Sequence, residues 1–190
     1  MRRSCGKGFT LVELMIGVLV LTLLISVAAP SLINFIRNNR MLSEVYAMRS
    51  ALNGARTRAL SERTFVTICR SEDRASCGDD TVQWTDGYIA FTDYNADNTV
   101  NDPNDRIFIA RAASPEGYTL TYRGAADPNT PLGSLRFDSR GHATAFDGTF
   151  TLCDSRGNAA ARGLIVSPGG IIRAALVDPN NPGSDSLADC

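Results

Sequence analysis

The residue in this chain whose type and position most clearly imply chemistry is Glu13, the single charge in an apolar run from Phe9 to Ala29. A carboxylate inside hydrocarbon costs roughly 2.5–3.5 kcal/mol and is usually found facing a partner within an assembly. The competing reading places it near the lipid headgroups, where it is tolerated. Asp93, Asn95 and Asp97 begin a run of oxygen-bearing side chains through Asp102, hard ligands of the kind calcium takes. The calcium loop needs Gly at its sixth position and Glu at its twelfth, where this chain has Asn98 and Asn104, so an Asx-rich hairpin loop is expected instead. His142 stands near Ser139 and Asp138, but no Gly-x-Ser-x-Gly elbow accompanies it, and a solvated turn histidine is the simpler reading. With no phosphate-binding Gly-rich loop or histidine cluster, the expectation is a protein that is not an enzyme and needs no cofactor or metal.

Cysteine is the other reactive type. Cys5 sits in a short basic stretch before the apolar run, leaving Cys69, Cys77, Cys153 and Cys190. An even number outside the cytoplasm suggests disulfides, and four cysteines allow three pairings that sequence alone leaves open. Cys69 and Cys77 flank a short polar loop, Cys153 ends a strand-like run, and Cys190 is the last residue of the sequence. The expected pairs are Cys69–Cys77 and Cys153–Cys190, the second pinning a tail rich in Pro, Asn and Gly. The absence of any Cys-x-x-Cys pair and the single histidine speak against zinc.

The elements that must carry these residues are legible in the patterning. Arg2, Arg3 and Lys7 precede 21 residues with one charge, a length that spans a bilayer as a helix with the basic end in the cytoplasm. No small-x-small site follows the run, so it is not an ordinary secretory signal. Pro30 should kink the helix rather than end it, because an apolar pattern continues to Ile36. Met41, Val45, Met48, Leu52, Ala55 and Ala59 then form one stripe at helical spacing, which needs a partner surface. Eight short β-rich runs between Phe65 and Ala174, punctuated by turn residues, supply it. The fold class is therefore α+β: a long N-terminal helix packed on a mainly antiparallel β-sheet head. Residues 37–63 carry six Arg and two Glu, whereas 64–190 carry ten Arg and seventeen acids. Such an acidic head is a poor general binder of polyanions, and the basic segment reads as a stem facing acidic surfaces of neighbours or of the head.

The stretch Gly8, Phe9-Thr10-Leu11-Val12-Glu13 and the apolar helix through Pro30 resembles the leader and N-terminal helix of type IV pilins and type II secretion pseudopilins. The resemblance implies that a prepilin peptidase cuts between Gly8 and Phe9 and methylates the new amino group of Phe9. It further implies that this amine of one subunit pairs with Glu13 of another. Domains follow as 1–8, a cleaved leader; 9–62, the pilin helix, membrane-spanning to about residue 29; and 63–190, a periplasmic head. Phe137-Asp138-Ser139-Arg140-Gly141, Phe150-Thr151-Leu152-Cys153-Asp154 and Ile165-Val166-Ser167-Pro168-Gly169-Gly170 resemble the C-terminal pattern of the GspH/FimT minor pilins and pseudopilins. Trp84 to Phe91 resembles the strand entry in the same group. The implied function is a minor pilin that assembles into or primes a type IV pilus, with major and other minor pilins, the peptidase and the inner membrane as partners. The alternative is a type II secretion pseudopilin. A second alternative is a DNA-binding minor pilin: one subgroup carries Gly-Arg-x-Arg after this segment, where the present chain has Gly170-Ile171-Ile172-Arg173. Arg156 and Arg162 would have to join Arg173 in gripping phosphates.

Overall fold

The computed structural model describes residues 9–127, 129–176, 187 and 190, apart from the side chains of Val27 and Pro30. The expected leader, residues 1–8, and all of the tail beyond residue 176 except Leu187 and Cys190 lie outside the described residues. Helix α1 runs Leu11–Glu62 and stays helical through position 30, so the proline does not end it. The chain forms two compact units, Met1–Arg40 and Met41–Cys190.

In the first unit the large apolar side chains are exposed around the whole circumference of the helix, from Leu11 and Val12 to Leu24 and Ile25. A helix apolar on every side belongs in a membrane or among other helices. By length and composition this one can cross a bilayer. Two of its hydroxyl residues suit that setting, because each donates to the helix backbone: Thr22 Oγ1 to the Leu19 carbonyl at 2.8 Å and Ser26 Oγ to the Leu23 carbonyl at 2.7 Å. Neither of these hydroxyl protons is thereby left seeking water in hydrocarbon.

In the second unit the rest of α1 meets eight strands: β1 Phe65–Arg70, β2 Gly87–Asp93, β3 Arg106–Ala112, β4 Tyr118–Gly124, β5 Ser134–Phe137, β6 Gly148–Asp154, β7 Arg162–Val166 and β8 Ile172–Leu176. All pair antiparallel, and they divide into two four-stranded sheets, ordered β3-β2-β1-β5 and β4-β6-β7-β8. The division arises because β5 returns to pair with β1 while β4 takes β6 as its neighbour. The helical stripe closes on both sheets: Met41, Met48, Leu52, Ala55 and Ala59 are buried, with Val45 partly so. Alanines on that face let the helix approach the sheets closely, and the volume is filled by Ile68, Leu135, Phe137, Tyr122, Phe150 and Leu164.

Trp84, in a single 3-10 turn before β2, is the hub of this core. Its ring meets Phe150 edge-on at 5.1 Å and Tyr122 at 6.0 Å, and Nε1 donates to the Leu132 carbonyl at 2.8 Å. The bond gives a buried indole its required partner. Trp84→Phe should cost about 1–2 kcal/mol in head stability, as a buried carbonyl loses its donor and the core loses volume; urea unfolding measures it.

Tyr88 lies beside the stem. Burial pushes its phenol up to about 12, opposed by the nearby Arg111 guanidinium and assisted by the Glu44 carboxylate. An unfolded tyrosine deprotonates near 10. The folded-state pKa is raised, so its contribution is complete below pH 10 and is lost as pH climbs through 12. Head stability should fall across that window, and Tyr88→Phe should flatten part of the fall. Burial raises Tyr122 in the same direction and supplies the remainder.

Candidate assembly interface

Two sets of residues stand out. The first is the start of α1. Thr10 Oγ1 accepts the Glu13 amide at 3.2 Å and the Thr10 carbonyl accepts the Leu14 amide, so Thr10 is the N-cap and Glu13 its third helical residue. A Thr-x-x-Glu run before an apolar stretch is itself a helix-start signature. The negative carboxylate also stands in the first turn, where the helix dipole favours it. Phe9 is 81% exposed, and Glu13 makes no ion pair among the described residues. Gly8 lies outside them.

The second set fixes the head. Cys69 is bonded to Cys77 and Cys153 to Cys190, with Cα–Cα distances of 5.5 and 5.7 Å. Cys69 packs with Ile89 and Phe91. Leu187, near the second bond, occupies the space a side chain at Gly163 would need.

Arg56 was not singled out by pattern. From the stem its Nε donates to the Gly141 carbonyl at 3.0 Å and its Nη2 to the Gly169 carbonyl at 3.2 Å. One guanidinium thereby holds two turns far apart in sequence. Gly141 and Gly170 both have φ of +74°, and a Cβ on Gly170 would stand 1.9 Å from the Gly141 carbonyl oxygen. Asp138 completes the first turn, its Oδ1 accepting the Arg140 and His142 amides at 2.8 and 2.9 Å. Burial pushes this carboxyl up, but those amides and the adjacent cations outweigh it, so it ionises below the usual range. His142 Nδ1 is 3.5 Å from Asp138 Oδ2, a surface pair, while the Ser139 hydroxyl has no part in these bonds. Arg56→Ala should destabilise the head by about 2 kcal/mol, since each of its charge-assisted bonds is worth roughly 1.5 kcal/mol or more before solvent compensates. Thermal unfolding would register it.

The signature resemblance in the head resides in these turns and in the buried strands beside them. A profile described as "Type II transport protein GspH" matches residues 44–170, from the stem through Arg56 to the second turn. The chain belongs to the GspH family. A second profile, the prokaryotic N-terminal methylation motif, matches residues 3–29. This GspH-family protein is thus a membrane-anchored subunit of the pilin and pseudopilin kind. Among solved structures it resembles the type IV minor pilin FimU of Pseudomonas aeruginosa at TM-score 0.53 and 18% identity, over 75% of this chain and 92% of that one. It also aligns with the minor pseudopilin EpsH from the type 2 secretion system of Vibrio cholerae, at TM-score 0.48 and 12% identity, over 72% and 96%. At such identity the likeness to FimU shows a shared fold. No curated protein sequence matches the chain.

The remaining candidates do not converge. Arg162 pairs across the sheet with Leu152 and shares a face with the buried Leu164, whereas Arg173 pairs with Ile165 and projects from the reverse face. Arg156 is bound to its neighbour Asp154, Nη2 to Oδ2 at 2.6 Å. The three arginines considered for a phosphate grip therefore do not form one basic face. In the acidic loop Asp93 is fully buried, Oδ2 accepting the Thr67 hydroxyl at 2.7 Å and the Asn98 amide at 3.1 Å. Asp97 takes the Thr99 amide and hydroxyl on Oδ1, while Asn95 and Asn101 donate to Oδ2. The Thr99 hydroxyl, then the Asn101 amide and Thr99 backbone, hold Asp97 below the usual carboxylate range. These oxygens are occupied by donors that organise an Asx-rich loop, and among the described residues no group of three or more His, Cys, Asp or Glu could hold a metal.

Proposed function

We propose that this protein is a minor pilin that primes or joins a type IV pilus from the inner membrane, with its head in the periplasm before assembly. The observation that carries the reading is the pairing of opposites at the two ends of α1: an all-round apolar helix bearing one carboxylate, and a stapled head that encloses the rest of the helix. A helix of the first kind is fit for burial among like helices once it leaves lipid. Prepilin peptidase cleaves after Gly8 and methylates Phe9; the amine so exposed on one subunit and Glu13 of the next then pair where water cannot solvate either charge. The mechanism is assembly, and the one covalent event treats this chain as a substrate. The fold shared with a type IV minor pilin supports this reading.

A second reading, a type II secretion pseudopilin, is favoured by the family's description. Deleting the chain in its host separates the two. Loss of surface filaments with exoprotein export intact supports the pilus role. Export failing while pili persist replaces it with the pseudopilus role. Mass spectrometry of the mature protein should find it beginning at Phe9 and carrying one added methyl group on its amine.

A further inference from the structure

On an α-helix the residue four positions on lies one turn above on the same face, and its side chain tilts back toward the N-terminus. The side chain at that position therefore covers the surface beside the first residue. For Glu13 the position is Gly17, and a Cβ added there meets no atom within 4 Å. Every neighbour of Gly17 from Leu14 to Leu21 is large and apolar. Glycine inside a helix costs about 1 kcal/mol relative to alanine, and in a membrane span it also forgoes apolar contact. Neither helix propensity nor hydropathy accounts for it. On the other flank of Glu13, Thr10 turns its hydroxyl back onto the Glu13 amide at 3.2 Å. The carboxylate thus stands between a small side chain tied to its own backbone and a side chain that is missing.

We propose that Gly17 is a docking notch, which admits the protonated α-amino group at the start of another pilin-like chain to the Glu13 carboxylate. The inference rests on the reading above, that Glu13 pairs with such an amine, and it assigns the residue that makes the approach close enough to matter. Charge attraction in hydrocarbon is strong at contact and weakens as the separation grows, with no water to solvate the gap. A branched side chain at position 17 would hold the incoming amine and its aromatic ring away from the carboxylate.

The test uses the full-length chain in its own host, comparing the amount recovered in sheared filaments with the amount in the membrane. Gly17→Ala, Gly17→Val and Gly17→Leu should lower incorporation in order of size, reaching about tenfold for Leu, which corresponds to about 1.4 kcal/mol. Thr22→Leu, nine residues from Glu13 and so half a turn round the helix, should incorporate normally. All variants should be inserted and cleaved as the wild type is. A glycine with no docking role predicts the opposite sign, because each replacement strengthens the helix. Gly17→Leu incorporating at or above the wild-type level while Glu13→Gln is excluded overturns the notch and leaves the pairing intact. Normal incorporation of Glu13→Gln removes the pairing itself, and the notch with it.

Discussion

Glu13→Gln is expected to insert into the membrane at least as well as the wild type and to be cleaved normally, yet to fall out of the filament fraction by tenfold or more. The two effects have opposite signs for one reason. In the lipid-embedded monomer the carboxylate is a cost of roughly 2.5–3.5 kcal/mol, which the neutral amide largely relieves. In the proposed assembly the same carboxylate has a cationic partner, and replacing it would strand the partner's amine in a medium that cannot solvate it; breaking one side of a buried pair costs about 3–5 kcal/mol. Glutamine keeps the shape and the Thr10 cap, whose bond is to the Glu13 backbone amide rather than to the side chain. Loss of incorporation therefore reports the charge. Quantitative blotting of filament and membrane fractions decides it, and equal recovery of the variant would remove Glu13 from the assembly mechanism.

The largest stability effect in the head should come from Gly170→Ala. Its φ of +74° alone costs an L residue about 1–2 kcal/mol. The added Cβ would also lie 1.9 Å from the Gly141 carbonyl oxygen and 2.9 Å from Arg56 Nε, the two groups joined in the clamp. Backbone cannot move aside as a flexible side chain can, so the turns must separate and the Arg56 bonds weaken with them. A loss of about 3–4 kcal/mol follows. Gly157 supplies the control: its φ is +71°, and a Cβ there meets nothing within 4 Å. Gly157→Ala should cost only the conformational part, about 1–2 kcal/mol. Urea unfolding of the two variants side by side separates strain from collision, and equal costs would mean that the clamp is not a rigid unit.

The amino-acid sequence by itself determined the helix and strands of both units, because hydropathy period is a local property. A run of 21 residues with one charge can only be a span or a helix among helices, and the four-and-three spacing of Met41 to Ala59 can bury one face only. All eight strands were likewise legible from β-branched and aromatic runs between turn residues. What only the tertiary structure decided is which distant residues meet. The split into two sheets depends on β5 returning to β1, a choice among partners that no run of residues encodes alone. Arg162 and Arg173 fall on opposite faces because strand register assigns each residue's side, and register is a property of pairs. Asp93 and Asp97 look like metal ligands in a list of residues, but in the fold their oxygens take donors from the loop's own backbone and the Thr99 hydroxyl, and from the Thr67 hydroxyl on β1. Arg56 was one arginine among six in the stem until the fold brought two turns, 85 and 113 residues away, to its guanidinium. Periodicity and charge act along the chain and can be read there. Pairing acts across it, and becomes visible only when the core has closed.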